Sequence, residues 1–289
     1  MTCPVSETIA DIRARVARSR AEGLSVALVP TMGALHAGHE SLIRAARERC
    51  GFVVVSIFVN PTQFGPGEDY ASYPRSPEAD LEACARGGAA VAFMPQPADM
   101  YDPPSLTVVS VPSLSGTLCG ARRPGHFEGV CTVVAKLFNI VQPDLAFFGA
   151  KDYQQATILR RMAGDLNFPL EVVVCPTVRE TDGLAMSSRN RYLSGGQRAQ
   201  ALALHESLLL AGRLAGQGER SARRIVQAMR EHLARRAPDG QIDYIQIVDP
   251  DSLADVDTID RPVQVLLAVR LGRARLIDNM RVDAARPDR

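Results

Sequence analysis

The sequence predicts an α/β protein: a doubly wound parallel sheet, then a smaller C-terminal α+β domain. Three observations carry this. Short, continuous apolar runs recur, such as 52–59 (Phe-Val-Val-Val-Ser-Ile-Phe-Val), as expected of strands buried on both faces. Helical patterns lie between them, and strand–helix alternation implies a parallel sheet. The alternation stops near Val178, after which two helical segments precede three β-type ones. The expected division is 1–178 and 179–289, in keeping with the 289-residue length.

Taken in order, Ser6 reads as a helix N-cap, with Ile9, Ile12 and Val16 at helical spacing and Gly23 as the stop. Strands are predicted at 24–29, 52–59, 89–94, 106–111, 144–148 and 170–175. Helices are predicted at 40–50, 77–86, 127–141 and from about 153 to 164. Ser76-Pro77 opens the second of these and Gly87-Gly88 closes it. Residues 95–125 are rich in Pro, Ser and Gly and show little else. Beyond 178, Ser194 caps a helix to about Ala215, a second spans 222–234, and strands follow at 242–248, 263–269 and 275–279. The tail, 281–289, is expected to be disordered.

The charge balance, 33 basic against 32 acidic residues and a net +1, gives no sign of a nucleic-acid-binding surface. No apolar run is long enough to span a bilayer and no signal peptide is visible. Six scattered cysteines without a C-x-x-C pair read as reduced, mostly buried thiols. The expectation is a cytoplasmic protein.

The most informative stretch is Val29-Pro30-Thr31-Met32-Gly33-Ala34-Leu35-His36-Ala37-Gly38-His39. It joins a strand to a helix through a glycine-bearing turn, which aims backbone N–H groups and a positive helix end at one spot. His36 and His39 stand three residues apart there. Ligands of open α/β sheets gather at this carboxyl edge, so the stretch reads as a phosphate site. It is not a P-loop, because His39-Glu40 stand where Lys and Ser/Thr are needed. It is not a dinucleotide fingerprint either, since Ala34-Leu35 follow Gly33.

Three other clusters stand out. Residues 60–75 form a loop too long for an ordinary βα connection, and its Asn60 and Gln63 suit hydrogen bonding to hydroxyls or a carboxylate. Residues 149–155 repeat the strand–glycine–helix logic: Lys151 can reach a phosphate, and Gln155 follows one turn on. Residues 179–191 contain Ser187, Ser188 and Arg189, a compact donor set for phosphate oxygens, in a loop at the expected domain junction. Arg122 to Phe127 adds charge and a further histidine, His126.

These residues converge on a family. Pro30 to Gly33 with His36 and His39 resembles the HIGH signature of the Rossmann-like nucleotidyltransferases. Met186-Ser187-Ser188-Arg189 looks like a shortened KMSKS loop. The set 29–39, 58–64, 73–75, 123–129, 148–155 and 176–191 is similar to the pantoate–β-alanine ligase family. The resemblance implies ATP-dependent condensation of pantoate with β-alanine through an acyl adenylate. It implies an ATP site formed by Pro30, Thr31, Met32, Gly33, Ala34, Leu35, His36, Ala37, Gly38, His39, Gly149, Ala150, Lys151, Asp152, Val178, Met186, Ser187, Ser188 and Arg189. His39 matches the family's catalytic histidine, and His36, Lys151, Ser187, Ser188 and Arg189 share the catalytic work. Gln63 and Gln155, with Asn60, are expected at pantoate. Mg²⁺ would accompany ATP without a dedicated protein cage. A homodimer, with the second domain closing over the site, is also implied. One departure is Ala150, where the family commonly has Glu.

Two other readings use the same residues. One is a different nucleotidyltransferase of the superfamily, making an activated alcohol or an aminoacyl adenylate. The other is a nucleotide-binding module without catalysis. ATP–pyrophosphate exchange driven by pantoate and not by amino acids would favour the ligase reading over both.

Overall fold

The computed structural model describes residues 2–283. Two compact units emerge: 1–116 with 123–178, and 117–122 with 179–289. Residues 117–122, expected in the first domain, therefore group with the second.

The first unit holds a six-stranded parallel sheet in the order β1-β4-β3-β2-β5-β6. Its strands are β1 (Val5–Ser6), β2 (Val26–Thr31), β3 (Phe52–Ile57), β4 (Val91–Phe93), β5 (Leu145–Gly149) and β6 (Glu171–Cys175). The helices in chain order are α1 (Ile9–Ala21), α2 (Ala37–Arg49), α3 (Pro77–Gly87), the short α4 (Pro97–Met100), α5 (Pro112–Ser115) and α6 (Leu118–Arg122), then α7 (His126–Val141) and α8 (Tyr153–Asp165). Of these, α6 belongs to the second unit.

The strands bury both faces, and alternation divides them. Ala27, Val29, Val53, Val55, Ala92 and Phe147 pack with Leu42, Ile43 and Ala46 of α2 and Cys84 of α3. After β2 the chain builds outward through β3 and β4, then returns to place β5 on the other side of β2. The registers Ala27↔Leu145 and Leu28↔Ala146 fix that neighbour. The order reverses between β2 and β5, so their carboxyl ends flank the crevice where ligands of doubly wound sheets bind.

Two expectations are corrected in this unit. Ser6 is not a helix cap: Val5–Ser6 pairs in parallel with Ala92–Phe93 as an edge strand. The N-cap of α1 is Thr8, whose hydroxyl accepts the Asp11 N–H. The strand predicted at 106–111 does not form. Leu106 and Val108 are among the most exposed apolar side chains, and the Val109 N–H donates to Thr132 Oγ1 instead of a sheet partner.

In the second unit, α9 (Gly195–Gly216) and α10 (Ala222–Arg236) cover one face of an antiparallel sheet. That sheet runs in the order β7 (Gln241–Val248), β8 (Val263–Leu271), β9 (Ala274–Val282). Val263, Val265, Leu267, Val269 and Leu271, two apart on β8, meet Leu204, Leu208, Ile225 and Met229 of the helices. Ser194 and Gln197 close a capping box at the start of α9. Arg281 and Val282 continue β9 through pairs with Gln264 and Val263, so that part of the expected disordered tail is strand. The remainder of the tail, from 284, lies outside the described residues. All six cysteines are free thiols, five of them buried. Among the described residues, no helix is long and apolar enough to cross a membrane.

Candidate active site

β2 ends at Thr31, whose hydroxyl donates to the Ser56 carbonyl at 2.7 Å and accepts the Gly33 N–H at 3.3 Å. Two left-handed residues in succession make the turn: Gly33 (φ +80°) and Ala34 (φ +51°). The helix starts at Ala37, ahead of the predicted residue 40. This makes His36 the N-cap and His39 the third helical residue.

The two histidines cap each other. The Gly38 N–H donates to His36 Nδ1 at 3.1 Å, and the His36 N–H donates to His39 Nδ1 at 3.3 Å. Their ring centroids lie 4.1 Å apart. A ring nitrogen that accepts a hydrogen bond is unprotonated, so in each neutral ring the proton sits on Nε2. Each histidine thus carries its N–H donor on the nitrogen not used in capping. Burial, together with the neighbouring His36 and the Lys151 ammonium, holds His39 down at about 3. At neutral pH its ring is uncharged.

This geometry revises the sequence expectation about backbone donors. The amides of Ala34 and Leu35 donate to the carboxylate of Asp80, and those of His39 and Glu40 to the His36 carbonyl. With Gly33, His36 and Gly38 also engaged, most of the turn's N–H groups are satisfied internally. Fewer backbone amides are thus left for an anion than expected, and the imidazole Nε2–H groups are the turn's other N–H donors.

At the end of β3, Asn60 caps a 3₁₀ turn, Pro61–Gln63. The Asn60 side chain is buried and fully engaged. Its amide donates to Gln63 Oε1 and to the Gly129 carbonyl, both at 3.1 Å, and its oxygen accepts from Thr62 and from the Tyr101 hydroxyl at 2.7 Å. Gln63 in turn directs Nε2 toward Met32 Sδ at 3.0 Å. Helix α7 approaches this turn closely: a Cβ on Gly129 would collide with the Thr62 carbonyl and the Gln63 backbone nitrogen. Asn60 therefore fixes the orientation of the Gln63 amide.

The same turn is held from the other side. Arg123 binds Glu68 with two bonds, at 2.7 and 2.6 Å, and donates to His126 Nε2 at 2.9 Å. His126 Nδ1 then carries the proton and donates to the Gln63 carbonyl at 2.8 Å. Burial and the Arg123 charge depress His126 to about 4. Burial pushes the Glu68 carboxyl up, but the Arg123 guanidinium outweighs it and keeps Glu68 below its ordinary value.

At the end of β5, Gly149 leads into a 3₁₀ turn, Ala150–Asp152, and then α8. Lys151 Nζ lies 3.8 Å from Asp152 Oδ2 and close enough to His39 to depress its basicity. Gln154 turns away and donates to the Leu114 carbonyl, whereas Gln155 is half-buried on the first turn of α8. Met32, His36, His39, Gln63 and Lys151 thus come from strand ends at one sheet edge, and Val178 closes this unit's chain.

The remaining predicted site residues lie in the second unit. Ser187 caps a 3₁₀ turn, Ser188–Tyr192, its hydroxyl accepting the Arg189 N–H at 3.2 Å. The base of this loop is tied down. Arg179 pairs with buried Asp278 through bonds of 2.7 and 2.9 Å, and Glu180 receives Asn190 at 2.9 Å and Arg198 at 2.8 Å. Met186 to Arg189 are half-buried beyond these ties.

Sequence reasoning missed Asp80 and Glu68. The signal for Asp80 was present: with Ala83, Cys84 and Gly87 it occupies the buried stripe of α3, where a lone carboxylate is unexpected. Glu68 carried no such signal, because its partner is 55 residues away.

Comparisons with known proteins bear on the family. The profile of the family described as pantoate-beta-alanine ligase matches residues 4–281. A pantothenate synthetase of Syntrophotalea carbinolica is 57% identical over 94% of this chain and 95% of its own length. One from Moorella thermoacetica is 53% identical over 95% and 96%. Among solved structures, a pantothenate synthetase from Thermus thermophilus superposes with a TM-score of 0.90 at 46% identity, covering 96% of this chain and 98% of that one. Pantoate-beta-alanine ligase from Francisella tularensis, solved with beta-gamma ATP and beta-alanine, gives a TM-score of 0.79 at 32% identity over 96% and 97%. With the profile spanning nearly the whole sequence and relatives this similar at full length, the chain belongs to the pantoate–β-alanine ligase family.

Proposed function

We propose that the protein joins pantoate to β-alanine at the expense of ATP. A pantoate carboxylate oxygen attacks the α-phosphorus, the bond to the β-phosphate breaks, and pyrophosphate leaves with the electron pair. The β-alanine amine then attacks the acyl carbon, the acyl–phosphate bond breaks, and AMP leaves as the amine loses a proton. The observation that carries this reading is the pair of Nε2–H donors of His36 and His39 at the β2/β5 reversal, with Lys151 beside them. Negative charge builds on the α-phosphate and the departing pyrophosphate, and fixed donors stabilise it more than they stabilise the ground state. His39, held neutral, works as a hydrogen-bond donor and not as a proton store.

Gln63 is the pantoate residue best prepared by its surroundings, with Asn60 acting through it. Gln155 is its companion on α8. To Gly149 to Asp152, Val178, and Met186 to Arg189 we assign ATP binding, on the resemblance of these segments to the family's motifs. Among the described residues, no group of three or more His, Cys, Asp or Glu side chains is arranged to hold a metal ion. In this reading Mg²⁺ rides on the phosphates and offsets their charge. A cytoplasmic location and a homodimer complete the proposal. The exposed Leu106 and Val108, in a stretch with neither helix nor strand, support the dimer, and a monomeric mass in solution would refute it.

The deciding experiment is ATP–pyrophosphate exchange. Exchange should depend on pantoate and not on amino acids. ATP binding without pantoate-dependent exchange would end this reading.

A further inference from the structure

We propose that Asp80 is a positioning residue for adenylation: its buried carboxylate holds the Gly33–Leu35 turn in the conformation that aims the His36 and His39 donors at the phosphates of ATP. The role rests on the adenylation reading above.

Four observations converge. Asp80 is only 2% exposed, in the first turns of α3, yet both its oxygens face the end of β2. Oδ2 accepts the Ala34 N–H at 3.0 Å and Oδ1 accepts the Leu35 N–H at 2.7 Å, a grip on two successive amides. The Ser76 hydroxyl donates to Oδ1 at 3.4 Å from the start of the same helix.

The gripped turn is one that the chain does not favour by itself. Ala34 holds φ +51°, a left-handed conformation that a residue with a Cβ adopts only when its surroundings impose it. Gly33, also left-handed, lies so near the carboxylate that a Cβ there would sit 2.9 Å from Asp80 Oδ2. The turn is thus pressed against Asp80 and bonded to it.

The consequence reaches the histidines within two residues. His36 follows Leu35 directly, and its backbone N–H fixes the ring of His39. A shift of Leu35 moves both rings together. Small displacements of transition-state donors cost rate far more than affinity. As a packing residue, a carboxylate on this apolar stripe is a poor choice, since an apolar side chain would need no desolvation. Its two amide bonds are what it provides.

The test is a double-mutant cycle on kcat for pantoate-dependent ATP–pyrophosphate exchange, read with radiolabelled pyrophosphate. Asp80→Asn keeps the volume but removes the charge and one of the two acceptors. We expect it to lower kcat about 30-fold when His39 is present and no more than about 3-fold in the His39→Ala background. The KM for pantoate should stay within about threefold, because Gln63 is held chiefly by Asn60 and His126. Equal losses in the two backgrounds would mean that Asp80 does not act through His39 and would overturn the proposal. So would an unchanged kcat in folded Asp80→Asn. If that variant does not fold, Asp80→Ser, which can accept one amide and leaves no charge to bury, is run through the same arms. Absence of exchange in the wild-type protein would strike the adenylation reading itself. That result is distinct from an active wild type in which only the Asp80 arms fail.

Discussion

The turns after β2 and β5 look alike in sequence, each a strand, a glycine and a helix start, yet they are built on opposite principles. The β2 turn is rigid: two left-handed residues, a buried carboxylate on two amides, and two histidines capping one helix. The β5 turn is built differently: Gly149 has no side-chain cap bond, a 3₁₀ turn follows, and Lys151 sets its ammonium 3.8 Å from Asp152. One turn supplies directed donors and the other supplies charge. Direction needs a scaffold; a point charge on four carbons does not.

The largest expected effect follows from this difference. His39→Ala and Lys151→Ala should each lower kcat by roughly a hundredfold or more, the usual loss when one transition-state donor is removed. They should part company on conservative replacement. Lys151→Arg should recover much of the rate, whereas neither His39→Asn nor His39→Gln should, because neither amide can place an acceptor at the Nδ1 position and a donor at the more distant Nε2 position together. Equal recovery at both positions, in steady-state kinetics, would erase the distinction between the turns.

Next in size is a backbone effect. Gly33→Ala should destabilise the fold by about 2 kcal/mol, from the positive φ and the crowding against Asp80 and Ile57. Gly149→Ala should cost less than about 1 kcal/mol, since nothing lies within 4 Å of the added Cβ and its φ is −84°. Urea denaturation of the two variants measures the contrast.

A further effect concerns pH. His39 at about 3 and His126 at about 4 stay neutral in the folded protein, while the unfolded chain protonates them near pH 6.5. The unfolded state therefore binds more protons below that point. Stability should fall as pH drops from about 6.5 toward 4, by at most about 1.4 kcal/mol per pH unit for each ring. No matching inflection near pH 6.5 is expected from His39 in the rate profile. A His39-dependent inflection there, abolished in a His39 variant, would restore a proton-transfer role.

Much of the fold could be read in advance for a simple reason. Strands buried on both faces write continuous apolar runs, and β3 and β5 were legible to within two residues at either end. The predicted strand at 106–111 misled because alternating apolar residues need a sheet edge to join. That segment pairs with none of the described strands, and its Val109 N–H is taken by Thr132 of α7. His36, His39, Lys151 and Gln63 were legible because their residue types stood out beside strand ends. Asn60 was legible as a polar group but not in its function, since its partners Gln63, Gly129 and Tyr101 come together only on folding.

By itself, then, the sequence determined the α/β class, the strand–turn–helix at 29–39 and the chemical types available for adenylation. These are local properties, written in periodicity and in residues a few positions apart. Tertiary structure decided what the 29–39 turn does with those groups. It brought Asp80 from 46 residues away to take the turn's amides, and set β5 beside β2 so that Lys151 comes near His39. The physical reason is that hydrogen-bond satisfaction in a buried turn is settled by whichever groups arrive in space. Here the backbone donors are used within the protein, and the histidine side chains carry the donors proposed to meet the anion.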